Sequence, residues 1–290
     1  MNEDTTLGIG MTVMAMARAA ESRHPKRLFD DSFSNKLAPG VWQILLLLGV
    51  RQAILALAEL RGPGAMGNLY CRTRAIDDAL LAALAEGIEQ VVILGAGFDT
   101  RAYRIPGIER TCAFELDLPA PQRLKKARLE RALGALPPHV TLVPIDFDHQ
   151  AIADVLAGTG YRTDARTFTI WEGVTQYITA DAIDGTLHFV ASNTAVGSKI
   201  AFTYIHRGII DGSTRSANDQ KLMDAAARGG MPWIFGLDPA ELPGYLAERG
   251  LAFLEEMWAP VYQERYLEPL TRKLTVFAGE RVALARVTTK

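Results

Sequence analysis

The stretch VVILGAGFDTRAYRI, residues 91–105, combines features that together could bind a nucleotide. An apolar, β-rich run leads into Gly95-Ala96-Gly97, and the chain then continues in a pattern that can open a helix. Glycines at such a turn let the backbone approach a ligand closely, because no Cβ stands in the way. Asp99 follows the turn, and Thr100 stands where a dinucleotide fingerprint would have its third glycine. The stretch therefore predicts a crevice for an adenosine-containing cofactor, with a carboxylate at its edge.

Further acidic residues follow the next strand candidates. In FELD, Glu115 and Asp117 come 18 and 20 residues after Gly97, the spacing at which an acid on a second strand meets ribose hydroxyls. Asp146-Phe147 places a carboxylate and a ring where an adenine edge and face would lie, and Glu172 follows the fourth candidate. Taken singly, each of these acids could instead cap a helix or lie in a solvated loop. Together they indicate an acidic rim.

The acidic rim indicates which cofactor the crevice accepts. A dinucleotide would place its pyrophosphate beside Asp99, and like charges at close range in a half-dry crevice repel each other strongly. S-adenosylmethionine (AdoMet) has no phosphate, and its ammonium and ribose hydroxyls can donate to carboxylates. The residues therefore favour AdoMet over a nicotinamide cofactor, and a methyltransferase over an oxidoreductase. No metal ion is expected, because Cys71 and Cys112 do not form a ligand pattern.

Alternating strand and helix patterns would position these residues. Five β-rich runs are separated by amphipathic segments, which predicts an α/β fold with a parallel, doubly wound sheet. The strand candidates are Val91–Leu94, Thr111–Leu116, Val140–Ile145, Thr167–Trp171 and Lys199–Tyr204, followed by Leu251–Trp258 and by Thr271–Val287, which turns at Gly279-Glu280 and suggests an edge hairpin. The helix candidates are Met11–Glu21, Val41–Leu60, Asn68–Glu86, Pro121–Ala132, Ala151–Leu156, Ala180–Ala191 and Pro239–Arg249.

The same patterns predict how the chain is organised. Residues 1–88 are expected to form a helical cap on a cofactor-binding domain of residues 89–290, in one compact unit. The looser region 205–237 would be a lid-like insertion after the fifth strand. Because ligands of such sheets bind beyond the carboxyl ends of the strands, the site is expected between the sheet edge, the cap and this lid.

Composition excludes some partners. The net charge of −2, from 31 basic and 33 acidic residues, predicts no general affinity for nucleic acid or anionic membranes. The apolar segment 41–60 is nearly long enough to span a bilayer, but Arg51, Gln52 and Glu59 within it favour a buried or partner-facing helix. Two cysteines without a disulfide pattern fit a cytoplasmic protein. A homodimer would be one way to cover the apolar segment.

Several blocks together resemble the leucine carboxyl methyltransferase-like family. Residues 91–104 match the family pattern LGxGxDTR followed by an aromatic residue and Arg. Similar blocks are Arg18-Ala19 with Leu28-Phe29-Asp30-Asp31, CRTRAIDD at 71–78, FELDLP at 114–119 and WEGVTQYIT at 171–179. PWIFG at 232–236, followed by DPAELPGYLAERG, is similar to the bacterial branch that acts on small molecules such as polyketides. The resemblance covers nearly the whole chain.

This resemblance implies a fold and a cofactor site. The fold would be the class I, Rossmann-like methyltransferase fold, with a seven-stranded sheet, a reversed last strand and a helical cap. By the same resemblance Arg72 would hold the methionine carboxylate of AdoMet, as a guanidinium can. Gly95 and Gly97 would pass under the methionyl part, and Glu172 would receive the α-amino group or close the floor of the site. The resemblance further assigns Asp117, with Glu115, to the ribose, and Asp146 and Phe147 to the adenine. Arg72 could instead be a surface helix residue.

The acceptor chemistry is less determined. Methyl transfer from a sulfonium needs a dry, oriented pocket, and a hydroxyl acceptor also needs a group that takes its proton. Tyr177, Tyr204 and His206, near the fourth and fifth strand ends, are the catalytic candidates, although His206 could equally be an exposed loop residue. Trp233 and Phe235 could form an apolar lid over a flat substrate, or pack under the cap.

Together these observations predict an AdoMet-dependent O-methyltransferase that acts on a carboxyl or hydroxyl group of a small molecule, such as a polyketide-like metabolite. Two alternatives remain open at this point. One is methylation of a protein C-terminal carboxylate, against which the PWIFG block weighs. The other is a regulatory protein that binds AdoMet without catalysis.

Overall fold

A computed structural model describes residues 3–37, 56–57, 59–60, 62–147 and 149–288. Within this part of the chain, strands and helices alternate from residue 90 to residue 205, as the hydrophobic pattern predicts. The strands are β1 (Gln90–Leu94), β2 (Cys112–Asp117), β3 (Val140–Pro144), β4 (Thr167–Trp171), β5 (Lys199–Ile205), β6 (Leu251–Met257) and β7 (Glu280–Val287). Each predicted strand before residue 258 is present, with its ends shifted by at most one residue.

The strands form one seven-stranded sheet in the order β3-β2-β1-β4-β5-β7-β6. β1 pairs in parallel with β2 and β4, β2 with β3, and β4 with β5. β7 runs antiparallel to both β5 and β6. The doubly wound sheet with a reversed last strand is thereby confirmed. Its carboxyl edge, at the ends of β1–β5, also receives the start of β7, because Ile205 pairs with Glu280.

Helices cover both faces of the sheet. The described helices are α1 (Glu3–Glu21), α2 (Ser34–Leu37), α3 (Ala65–Ala85), α4 (Arg101–Arg104), α5 (Pro119–Leu133), α6 (Ile152–Leu156), α7 (Ala180–Ser192), α8 (Arg207–Asp211), α9 (Ala217–Arg228), α10 (Leu242–Ala247) and α11 (Ala259–Tyr262), which continues into a π-helical turn at Gln263–Leu267. Short 3₁₀ turns lie at Ile108–Arg110 and Thr175–Tyr177.

Alternation along the strands divides the core in two. Val91 and Ile93 of β1 pack with α3 on one face, and Val92 and Leu94 pack with α6, α7 and α10 on the other. All five residues of β1 are buried, as expected for a central parallel strand covered on both sides. In the residues that the structure describes, no helix is long and apolar enough to cross a membrane. Most of the apolar segment 41–60 lies outside the described residues.

The prediction of a strand at Thr271–Val287 is wrong for residues 271–279. The run Thr271–Val287 becomes a strand only at Glu280, and β7 pairs with β6 rather than with residues 271–279. The hairpin-like pair therefore comprises β6 and β7, with β6 at the sheet edge. Residues 275–277 instead pack along the start of α3, where Phe277 N donates to Gly64 O at 3.0 Å. Tertiary contact with α3 overrides the β-rich composition of this segment.

Gly67→Ala is expected to lower the free energy of unfolding by about 1–3 kcal/mol, because the new Cβ would overlap the backbone oxygen of Thr275. The matched control is Gly185→Ala in α7, another helical glycine, whose Cβ would meet nothing within 4 Å. The control is expected to stabilise by about 0.5–1 kcal/mol through helix propensity. Urea unfolding of both variants checks the pair, and equal effects would contradict the packing of residues 275–277.

Candidate active site

The glycine turn lies between two other segments. Gly95 and Gly97 have φ values of 64° and 39°, in the left-handed region that favours glycine. A Cβ on Gly95 would overlap a methyl group of Val174, after β4, and a Cβ on Gly97 would lie 3.4 Å from Met11 Sδ of α1. Both glycines are therefore required by backbone conformation, and Gly95 also by space. The turn is enclosed by α1 on one side and by the segment after β4 on the other.

Asp117 stands beside this turn, as predicted for the acid at the end of the second strand. Its Oδ2 accepts the N–H of Gly97 at 2.6 Å, and its Oδ1 accepts the N–H of Leu118 at 2.7 Å. Burial raises its pKa, although both hydrogen bonds act in the opposite direction. The carboxylate is thus fixed between the glycine turn and the start of the next helix, with lone pairs left for further donors.

Glu115 is not brought to the edge of the sheet. Its side chain is fully buried, pairs with Lys125 of α5 at 2.7 Å, and accepts the hydroxyl of Tyr103 at 3.0 Å. Burial raises the pKa of Glu115, which Lys125 lowers in part. Glu115 therefore anchors α5 under the sheet, two residues before Asp117, where the covering helix leaves no open surface. Its role toward ribose stays a prediction, with Asp117 in the better position.

Asp146 and Phe147 follow the end of β3, next to Asp117. Ile145 N donates to Asp117 O at 2.9 Å, so the two strand ends are adjacent. The Asp146 carboxylate is 45% exposed and contacts His149 Nδ1 at 2.9 Å, while Phe147 packs partly against the core. The adenine role of both residues stays a prediction, and Asp146 lies in an open loop.

Arg72 and Glu172 meet at the same edge. Arg72 Nε donates to Glu172 Oε1 at 2.9 Å, and its Nη1 donates to both oxygens of Glu280, at 2.6 and 2.5 Å. Burial lowers the pKa of Arg72, but Glu280 and Glu172 raise it by more than burial lowers it, so the guanidinium stays charged. Nη2 makes no hydrogen bond within the described residues. It lies 3.4 Å from the point that a Cβ would occupy if Gly173 had a side chain. The site therefore includes Glu280, which the sequence patterns did not single out.

Arg101 is a second central cation that sequence reasoning missed. Its Nε donates to Asp77 at 2.7 Å, and its Nη1 donates to Asp99 at 2.5 Å and to Glu172 at 2.7 Å. Burial raises the pKa of Asp99, but Arg101 and Lys125 lower it more, to about 2. Asp99 is thus paired inside the protein rather than directed only at a ligand. The signal was present, because so many acids at one edge need counterions, and Arg101 directly follows the turn.

The ion pairs continue to the N-terminal helix. Arg104 pairs with Asp77 at 2.7 Å and with Asp31 at 3.6 Å, and Arg18 of α1 pairs with Asp31 at 2.9 Å. Arg18 Nη2 also donates to the backbone oxygen of Phe98 in the turn. We call the whole set the ion-pair network: Arg18, Asp31, Arg72, Asp77, Asp99, Arg101, Arg104, Glu172 and Glu280. With four arginines and five carboxylates, its formal charge is −1.

The three catalytic candidates lie apart. Tyr177 lies beside the network. Burial raises the pKa of its hydroxyl and a hydrogen bond with Trp233 lowers it, while the charge of Glu280 raises this pKa and that of Arg72 lowers it. Tyr204 is fully buried within the core of the opposite face, where its hydroxyl donates to Glu256. His206 caps α8, with Nδ1 accepting the N–H of Gly208 at 3.0 Å. The structure therefore brings only Tyr177 to the network.

The two predicted lid residues also diverge. Ile234 N and Phe235 N both donate to the backbone oxygen of Gln176, at 2.8 and 3.4 Å, so this segment lies over the turn that carries Tyr177. Trp233 faces Tyr177 and packs against Phe277, with ring centroids 5.9 Å apart. Phe235 instead packs against the core of the other sheet face. Trp233 is the better placed of the two to contact a substrate.

Sequence comparison gives the family. The profile described as leucine carboxyl methyltransferase matches residues 11–191. A Streptomyces coelicolor protein named as an S-adenosyl-L-methionine-dependent methyltransferase is 33% identical over 211 residues, 70% of this chain and 72% of its own length. A Streptomyces avermitilis protein with the same description is 31% identical over 247 residues, 84% of this chain and 83% of its own length.

Solved structures agree with the fold. A crystal structure described as a methyltransferase from Thermobifida fusca has a TM-score of 0.60 at 14% identity, covering 82% of this chain and 88% of its own. A DUF574 family protein from Streptomyces avermitilis has a TM-score of 0.56 at 13% identity, covering 94% of this chain and 96% of its own. At these identities the likeness concerns the fold alone.

Proposed function

Because the chain belongs to the leucine carboxyl methyltransferase family and is an AdoMet-dependent methyltransferase, we propose that it methylates an oxygen atom of a small molecule. The acceptor oxygen is a carboxyl or hydroxyl oxygen, as in a polyketide-like metabolite. The observation that carries the proposal is the convergence of Asp117, the glycine turn and Arg72 at one sheet edge, covered by the segment that bears Trp233.

The residues present fit AdoMet. Nη2 of Arg72 is a guanidinium nitrogen without a partner among the described residues, and it suits the methionine carboxylate. Glu172, held between Arg72 and Arg101, suits the α-amino group. Asp117 retains acceptor capacity for ribose hydroxyls. When bound, AdoMet supplies a methyl group activated by its sulfonium. The protein's part is to bind and orient the two reactants.

Exclusion of water is the second task of this chain. The region 205–237 would act as a lid, because its backbone N–H groups at Ile234 and Phe235 hold it over the turn at Gln176. A closed, dry site favours a displacement in which charge is dispersed. The block PWIFG at 232–236, which resembles the small-molecule branch, lies in this cover and supports a small molecule over a protein C-terminus as the acceptor.

The first test is binding followed by transfer. Calorimetry should show that AdoMet and S-adenosylhomocysteine bind at micromolar strength and that NAD⁺ does not. Labelled AdoMet and the protein, added to an extract of the native organism, should label small molecules whose added mass corresponds to one methyl group. Label confined to base-labile esters on proteins would contradict the proposal in favour of protein carboxyl methylation.

A further inference from the structure

Three buried polar atoms near Arg72 have no hydrogen-bond partner among the described residues. They come from α3, from the turn after β4 and from α11, which are distant in sequence. The atoms are Asn68 Oδ1, Gln176 Oε1 and the Tyr262 hydroxyl. Asn68, Gln176 and Tyr262 are at most 4% exposed. A buried polar group without a partner costs about 1–3 kcal/mol, and a polar ligand that bonded all three atoms would remove that cost.

Asn68 contacts Glu280 directly, whereas Gln176 lies beside Tyr177 and is linked to Glu280 through that residue. Asn68 Nδ2 donates to Glu280, which also accepts from Arg72. Glu280 and Arg72 are the charged groups that act on the hydroxyls of both Tyr177 and Tyr262. We call this set the polar pocket: Asn68, Gln176, Tyr177, Trp233, Tyr262 and Glu280. It adjoins the cofactor residues because Arg72 bonds Glu280 through Nη1 and Glu172 through Nε.

The chemistry of the polar pocket separates two kinds of acceptor. Its unpaired atoms include a hydroxyl that can donate, on Tyr262, and two amide oxygens that accept, on Asn68 and Gln176. A hydroxyl group uses both kinds at once, whereas a carboxylate is only an acceptor. Arg72, the cation that acts on both tyrosines, already pairs with two carboxylates in a network of net negative charge. An additional carboxylate would be buried there without a cation of its own, which is costly.

We propose that the polar pocket is the acceptor site and that it binds a neutral phenol or enol, whose hydroxyl oxygen is methylated. This inference rests on the proposed function. The oxygen forms a bond to the methyl carbon as the methyl–sulfur bond of AdoMet breaks, and the hydroxyl proton passes to the carboxylate of Glu280. S-adenosylhomocysteine and the methyl ether are the products. Trp233, beside Tyr177, closes the pocket from the lid.

Stability of the protein without acceptor gives the first test. Tyr262→Phe removes a hydroxyl that has no partner, so the thermal midpoint is expected to stay the same or rise. The control is Tyr161→Phe, which removes a hydroxyl that donates to Asn193 O at 2.7 Å, and here the midpoint should fall. A fall of equal size in both variants would overturn the proposal, because the Tyr262 hydroxyl would then be part of the structure.

The second test uses matched acceptors, 2-naphthol with 2-naphthoate and 1-hydroxyanthraquinone with anthraquinone-1-carboxylate, in complexes with S-adenosylhomocysteine. Calorimetry should detect the hydroxyl compounds and show at least tenfold weaker binding of the carboxylates. Tyr262→Phe should weaken binding of the hydroxyl compounds at least tenfold, while Glu280→Gln retains it but loses at least a hundredfold in kcat for their methylation. The inference would be overturned if the carboxylates bound as tightly as the hydroxyl compounds or more tightly. It would also be overturned if no compound of either pair bound. Failure of S-adenosylhomocysteine itself to bind would instead overturn the proposed function.

Discussion

Arg101→Gln is expected to lower the free energy of unfolding by about 3–5 kcal/mol, the effect of removing one partner of a buried ion pair. Arg101 is 2% exposed and forms ion pairs with three carboxylates, those of Asp77, Asp99 and Glu172. Glutamine keeps most of the volume but removes the cation: Asp77 keeps Arg104 and Glu172 keeps Arg72, while Asp99 is left buried without an ion pair among the described residues. Urea unfolding at neutral pH measures the loss. The control is Arg162→Gln, which breaks a solvent-exposed pair with Glu89 and should leave the midpoint nearly unchanged.

The stability lost in Arg101→Gln is expected to depend on pH. A carboxyl whose folded pKa lies below its unfolded value contributes stability above the unfolded pKa, and loses it as the pH falls through the folded value. Asp99, with a pKa of about 2, behaves in this way because of Arg101. The stability difference between the native protein and Arg101→Gln should therefore be largest near neutral pH and shrink toward about pH 2. A difference that is constant with pH would contradict the role of Arg101 as a counterion.

Asp117→Asn is expected to raise the dissociation constant of AdoMet at least about tenfold, or roughly 1.4 kcal/mol. The carboxylate holds the N–H of Gly97 and that of Leu118, and its remaining lone pairs are placed for ribose hydroxyls. An amide replaces one of these acceptors with a donor, which opposes both the backbone and the ribose. Calorimetry with AdoMet and S-adenosylhomocysteine measures the change.

The matched control for Asp117 is Asp164→Asn, a change of the same chemistry in an exposed loop before β4. It should leave AdoMet binding unchanged. Adenine alone lacks the ribose, so its binding should weaken much less than that of AdoMet in Asp117→Asn. If both variants bind AdoMet like the native protein, ribose recognition at the end of the second strand is wrong, and Glu115 or Asp146 would have to be tested in its place.

Local sequence patterns were sufficient for the fold and for the position of one half of the candidate site. Strands β1–β6 follow from short apolar runs, and the central strands β1 and β4 show why, because a buried parallel strand has no polar face to disguise it. Gly95, Gly97 and Asp117 follow from the turn and its spacing, because a backbone that must bend beside a ligand restricts which residues it can use. The prediction that AdoMet rather than a dinucleotide binds here needed only the sign of the nearby charges.

Long-range packing determined the other half. Arg101, Asp77 and Glu280 belong to the ion-pair network because α3, the turn after β1 and the start of β7 meet at one edge, and no spacing in the sequence measures that meeting. Tyr204 lies on the face of the sheet opposite the ion-pair network. Side chains alternate along a strand, so a shift of one residue exchanges a side chain that faces the network for one in the opposite core. Which acids face a ligand and which are paired inside the protein depends on where each arginine can reach. The sequence specifies the charges and the turn, and the packing of distant segments decides which charges remain available to bind and to react.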